Sequence, residues 1–379
     1  MSDRRRPSDR EPLPNRQPLL DRKPRRRAAL SALAALALAG AAACSGSSAG
    51  DEPTAQAATA PGKTSYPLAF RNCGQKVTFT RPPQRVLILN GTSVAESESF
   101  VLLGLQKHVL ANAQSYGVSD DPSMVAAVKA LPTRGLTMNK NFDVPAEQVL
   151  AAKPDLVVST WSGGFDAKRG HATREQLAAA GITTLVNPVN CAYGKPGASE
   201  AEKRAYERIS IESSHEFLAL LGRVFDVQHK AAAVSADLRR RVGAVRARVA
   251  GRPARKVLIV YPGMSMMNAA GLPAVMTGRI TDEVIAAAGG VNAFAGRSRD
   301  VTSTLTKEQL ATARVDVVAV GAFTPSEDPA AQARTLFAEY PQWQASKTRT
   351  YTAIADGAFL GPLNAWAVEK LAKVVHPDG

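Results

Sequence analysis

Two glutamates in this chain stand six residues ahead of a glycine, each at the head of a run of small and apolar residues. They are Glu98 in "ESFVLLG" (98–104) and Glu283 in "EVIAAAG" (283–289). One such carboxylate would serve a helix dipole or solubility. Two at matched places of a duplicated chain can do recognition chemistry, because a symmetric partner presents the same cationic pocket twice. Catalytic spacings are missing. "GMSMM" at 263 lacks the second glycine of a nucleophile elbow, and there is no G-x4-G-K-S/T loop and no G-x-G-x-x-G after a strand. His108, His171, His215, His229 and His376 are scattered, with no metal-ligand spacing among them. No pair of carboxylates is marked as acid and base. The sequence argues for binding, not for catalysis.

The elements that would position these residues occur twice. "EQVLAAKPDLVV" (147–158) aligns without gaps with "EQLATARVDVVA" (308–319), and "RVLILN" (85–90) matches "KVLIVY" (256–261). Each half reads as a strand, a helix carrying the Glu-x5-Gly device, then a short helix, a turn and a buried strand. Strands alternating with helices indicate parallel sheets, so the fold class is α/β, with two similar lobes. Between the halves, Val234, Leu238, Val242, Val245 and Val249 form one apolar stripe at helical spacing. The segment 228–250 is therefore read as a single long connecting helix with a solvated, arginine-rich face. The lobes are placed at 65–227 and 251–379. "QKVTFT" is expected to be an edge strand of the first.

Parallel sheets hold ligands beyond the carboxyl ends of their strands. That rule selects Asn90, Trp161, Phe165, Tyr261 and Phe323 at strand ends. Tyr116, Asn139, Arg297, Phe359, Asn364 and Trp366 lie in loops or element ends that could join them. Aromatic residues make up only 6% of the chain, so their gathering at strand ends points to a cleft. A bulky, anionic ligand would suit Trp161 and Trp366 as walls and Arg297 as the cation.

The net charge of +14 suggests nucleic acid until it is located. Residues 1–43 hold ten Lys/Arg and four Asp/Glu, so +6 belongs to the leader and +8 to the rest. No stacking-rich aromatic segment follows the basic runs, and a nucleic-acid partner is not expected. "RKPRRR" (22–27), the apolar run 28–40 and "AAAC" (41–44) read as an export signal ending at a lipid-anchored Cys44. Residues 1–44 are thus signal and anchor. The Ser/Ala/Gly/Pro-rich residues 45–64 form a tether. Cys73 and Cys191 then remain as an even pair in an exported chain, either joined or left as two buried thiols.

These features together resemble the substrate-binding proteins of ABC importers for ferric siderophores, haem or cobalamin. The resemblance rests on the leader, "NCGQKVTFTRPPQRVLILN" (72–90), "ESFVLLGL" (98–105), "PAEQVLAAKPDLVVS" (145–159), "GHATREQLAAAGI" (170–182), the connecting helix, "DEVIAAAGGVNAFA" (282–295) and "VEKLAKVVHPDG" (368–379). It implies two α/β lobes on one rather rigid helix, a ligand between them, and no chemistry. It further implies no resident cofactor or metal, and a ferric siderophore as cargo, with haem or cobalamin as alternatives. Tyr261 or Tyr116 would be the axial residue for haem. The partner implied is a dimeric permease with its ATPase subunits, met by one glutamate per lobe. Glu98 and Glu283 match, with Glu96 a competitor to Glu98. The readings outside this family are a secreted hydrolase and a scaffold with an unused cleft.

Overall fold

The computed structural model describes residues 62–91, 93–114, 118–139, 143–297 and 301–378. The signal segment, most of the tether, Cys44 and Tyr116 lie outside these residues. A hairpin of β1 (Leu68–Asn72) and β2 (Gln75–Phe79) opens the described chain. "QKVTF" therefore pairs with its own neighbour in a separate two-stranded sheet and is not an edge of the main one.

The first lobe then runs β3 (Val86–Ile88), α1 (Ala95–Leu102), β4 (Val109–Asn112), α2 (Pro122–Lys129), α3 (Ala146–Ala151), β5 (Leu156–Ser159), α4 (Arg174–Ala179), β6 (Thr183–Val186), α5 (Glu200–Glu207) and α6 (Ile211–Phe225). Its sheet is all parallel, in the order β4-β3-β5-β6. Continuous branched runs suit strands covered on both faces: Val86, Leu87, Ile88, Leu156, Val157 and Val158 have no exposed surface. Cys73 and Cys191 are joined, closing a loop over a separation of 118 residues. In the chain-entropy model a loop of that length contributes about 4–5 kcal/mol.

The long helix α7 (Gln228–Val249) follows. The second lobe runs β7 (Arg255–Tyr261), β8 (Ala274–Met276), α8 (Arg279–Ala287), β9 (Gly290–Asn292), α9 (Val301–Thr304), α10 (Lys307–Thr312), β10 (Val317–Gly321), α11 (Pro329–Glu339), α12 (Gln344–Thr348), β11 (Tyr351–Ile354) and α13 (Asn364–Val375). Here β11, β10 and β7 are parallel, β9 also joins β7 in parallel, and β8 joins it antiparallel.

The sequence repeat is a physical repeat. Asp155 accepts from the backbone N–H of Gln84 and Arg85, both at 2.8 Å, at the start of β3. Asp316 accepts from Lys256 N–H at 2.8 Å at the start of β7. Each aspartate satisfies backbone donors at the head of the neighbouring central strand and so fixes its entry. The glutamines of the same repeat have diverged in use. Gln148 holds the Thr137 loop, whereas Gln309 closes a capping box with Thr306 at the head of α10.

Helix α7 is packed along both lobes. Leu238, Val242, Val245 and Val249 are buried in one cluster that also contains Phe217 and Leu221 of α6 and Leu371 and Val375 of α13. Its arginines are less free than a plain solvated face would have them: Arg239 pairs with Glu212, Arg241 with Glu369 and Arg246 with Glu283.

Candidate functional site

A cleft of about 480 Å³ opens between the lobes. Gly91, Asn190, Tyr193, Tyr206 and Ile209 line it from the first lobe. Met264, Met267, Met276, Arg279, Phe323 and Phe359 do so from the second. Its walls are apolar and aromatic with a few polar groups, the usual make-up of a small-molecule site. Methionines add a soft wall that adapts to irregular ligands.

The first-lobe wall is a stacked column. Tyr206 lies on Tyr193 at 5.5 Å between ring centroids, and Tyr193 lies on Trp161 at 4.6 Å. Arg169 sits 5.0 Å over the Trp161 ring, and Arg279 of the second lobe sits 3.7 Å over Tyr206. Each ring fixes the next, so the column keeps its shape without a ligand. Burial pushes the Tyr206 phenol up to about 12.

Beyond the carboxyl ends of β3, β4 and β5 lies a buried polar network. Glu96 accepts from Thr160 Oγ1 at 2.6 Å and Gln114 Nε2 at 2.8 Å, and Ser97 donates to Asn112 Oδ1 at 2.8 Å. Gly91 is required above it: a Cβ there would stand 2.1 Å from Thr160 Oγ1 and 2.9 Å from Gln114 Nε2.

A second buried network ties the lobes together. Asp120 of the first lobe accepts from Ala355 N–H and Gly357 N–H, and pairs with Lys370 of α13 at 2.8 Å. Asp356 accepts from Asp120 N–H at 3.0 Å, and Glu98 accepts from Ser119 Oγ at 2.7 Å. Glu98 and Asp356 face each other, and Glu98 Oε2 and Asp356 Oδ2 have no donor. Two carboxyls so placed share a proton. Burial, followed by the Asp356 charge, holds Glu98 well above the usual carboxylate range, and burial lifts Asp356 to about 6.

The structure corrects several of the expected roles. Glu98 and Glu96 have no exposed surface and cannot meet another protein. Glu283 is partly exposed but is committed internally: it accepts from Ile211 N–H at 2.6 Å at the head of α6 and pairs with Arg246 at 2.9 Å. The first turn of α8, the helix that carries Glu283, lines the cleft.

Among the aromatic candidates, Phe323 and Phe359 line the cleft, and Trp161 lies behind Tyr193. Asn90 immediately precedes the lining residue Gly91. Phe165 turns into the first-lobe core. Tyr261 is buried, its hydroxyl donating to Ala355 O. Asn364 is buried and donates to Gly357 O and Phe359 O, both at 2.7 Å, which holds the Phe359 turn. Trp366 packs under Arg241, at 3.5 Å, on the α7 side of α13. Asn139 accepts from Asp143 N–H within its own loop, and Arg297 is exposed outside the cleft.

Tyr193, Tyr206, Arg279 and the methionines were missed. The two tyrosines follow no strand directly, and Arg279 is placed by a turn after the three-residue strand β8. "PGMSMM", straight after β7, was the one legible signal.

Residues 92–347 match the periplasmic binding protein family. The chain belongs to that family. It is a solute-binding protein and not an enzyme. No curated protein matches it. An ABC-type Fe3+-hydroxamate transport protein from Saccharomonospora viridis is 23% identical, with a TM-score of 0.60, covering 82% of this chain and 100% of that one. A periplasmic haem-binding protein from Pseudomonas aeruginosa is 22% identical, with a TM-score of 0.56, covering 78% and 94%. Helicobacter pylori CeuE, solved as a nickel–histidine complex, is 12% identical, with a TM-score of 0.56, covering 82% and 89%. At these identities the likeness is one of fold.

Proposed function

We propose that this protein captures a ferric siderophore in the interlobe cleft outside the cytoplasmic membrane and hands it to the permease of an ABC importer. The observation that carries the reading is the cleft itself, of about 480 Å³ and walled from both lobes by tyrosine, phenylalanine and methionine. Two of the phenols offer haem no ready axial oxygen: Tyr261 spends its hydroxyl on a backbone carbonyl, and burial pushes Tyr206 up to about 12. Titration with ferric trihydroxamates, haemin and cyanocobalamin, read by tryptophan fluorescence, tests this. A ferric siderophore should saturate the protein, and Tyr193→Ala with Phe359→Ala should weaken it at least about tenfold, or 1.4 kcal/mol. Binding of haemin or cobalamin alone would replace the siderophore reading.

Docking belongs to a different matched pair. Glu147 and Glu308 are identical positions of the repeat; both lie in the first turn of a short helix and both are exposed. They can meet two equivalent cationic pockets of a homodimeric permease. Glu147→Arg with Glu308→Arg should leave siderophore affinity unchanged and abolish uptake; normal uptake would refute the role. Anchoring through Cys44 predicts that Cys44→Ser releases the protein into the medium, because stable attachment needs the acyl chains.

A further inference from the structure

The cleft is uneven in charge. Among the described residues lining it, Arg279 is the single charged side chain. It stands at the head of the nine-residue helix α8, whose start has no side-chain cap, and Gly278 to Thr281 all line the cleft. The backbone is forced there: Gly278 has φ +77° and ψ 169°, essentially a glycine conformation, and Arg279 has φ +45°. A non-glycine residue held in the left-handed region is costly and marks ligand clamps.

The side chain crosses the cleft. Its guanidinium stacks on Tyr206 of the first lobe and pairs through Nη2 with Glu207 at 2.5 Å. Only 9% of the Arg279 side chain is exposed, whereas Glu207 is 67% exposed. Arg279 Nε and Nη1 have no acceptor. A buried guanidinium with unpaired donors is expensive unless something else completes it. The column beneath it holds the group in place, and its present counter-ion is a loosely held rim residue. Among the described residues, Arg169 is stacked on Trp161 and pairs with Asp143, and Arg297 is exposed outside the cleft.

We propose that Arg279 is the acid-recognition group of the cleft, exchanging Glu207 for an acidic oxygen of the ligand, with the uncapped start of α8 adding to the same anion site. The ligand class is then an iron chelate that joins a broad apolar face to at least one free carboxylate. Charge-assisted contacts to guanidinium and helix N-terminus favour such a group over its neutral counterpart. This rests on the cleft being the capture site for an iron chelate.

Two matched probe pairs test it: ferrioxamine G, with a free carboxylate, against ferrioxamine E, without one; and haemin against its dimethyl ester. Wild-type protein should prefer the acid-bearing member of any pair it binds by about tenfold or more. Arg279→Gln should erase that preference, lowering the affinity of the acid-bearing member by far more than that of the neutral one. Glu207→Gln, which removes only the rim counter-ion, should tighten the acid-bearing member several-fold, and keeps the test open if the arginine variant does not fold. Equal binding of both members, or an unaltered preference in either variant, overturns the role of Arg279 and leaves the chelate reading standing. If no probe binds wild-type protein, the chelate reading falls and this inference with it.

Discussion

The two lobes use the same device at one end of their sheets and different devices at the other. Asp155 and Asp316 clamp the starts of β3 and β7 in the same manner. At the carboxyl ends, α1 of the first lobe sinks Glu96 and Glu98 into buried networks, whereas α8 of the second opens on a strained arginine reaching across the cleft. What holds a sheet together has been retained in both halves, and what meets the ligand or the other lobe has diverged. Matched sequence positions therefore carry matched packing more reliably than matched function.

The comparison breaks hardest in the cores. Leu87 and Leu258 are equivalent residues on β3 and β7, both with no exposed surface. Leu87→Ala and Leu258→Ala should each cost about 2–5 kcal/mol in urea unfolding. Because α7 belongs to a cluster reaching both lobes, each variant should still unfold in one transition. Separate transitions for the lobes would contradict the shared core.

Next comes the close approach in the cleft. Gly91→Ala drives a Cβ into Thr160 and Gln114 within a buried network and should cost about 1–3 kcal/mol. Gly263, after the equivalent strand of the second lobe, faces the Glu327 carboxylate, which is itself held by Phe323 N–H, Thr324 N–H and Gln332 Nε2. Its alanine variant should cost a similar amount by thermal melting, since those bonds must break for Glu327 to move; a clearly smaller loss would show that the two lobes differ here.

The buried acids should show themselves in pH dependence. Asp356 is ordinarily near 3.8 and is raised to about 6, and Glu98 is also held well above its ordinary value. Groups raised on folding bind more protons in the native state, so their contribution is present below pH 4 and lost as pH rises through the folded values. The pair's contribution to the melting temperature should fall from pH 4 towards 7, against the rise from the buried His108, His171 and His215, whose values are lowered by burial; Asp120 and Lys370 are the charges beside the pair. Glu98→Gln keeps the shape, removes the shared proton and should flatten that slope. An unchanged slope would mean that the pair does not titrate together.

The smallest effect concerns Glu283. Glu283→Gln weakens its contact with the head of α6 and breaks an exposed pair with Arg246, for about 0.5–1 kcal/mol of stability. Ligand affinity should not change.

Much of the fold was legible in the sequence because its signals are local. "RVLI", "DLVV", "KVLI" and "DVVA" are runs that only a doubly covered strand explains, and Leu238, Val242, Val245 and Val249 mark the buried face of α7. The strands β8 and β9 were missed because "AVM" and "GVN" lack the continuous run of branched apolar residues that marks the equally short β3. The site was less legible because burial decides its roles. Glu98 and Glu147 each have a counterpart in the second half of the sequence, and only packing separates the buried residue from the exposed one. Phe323 and Phe359 were found by the strand-end rule, whereas Tyr193 and Tyr206 are brought together through Trp161 by contacts far apart in the chain.

The central claim is that ligand is held between the lobes. Hydrogen exchange with and without a saturating ferric siderophore tests it most directly. The account predicts simultaneous protection of residues 190–209 in the first lobe and 276–281 and 357–360 in the second. Protection confined to one lobe, or found elsewhere with these segments unchanged, would contradict it.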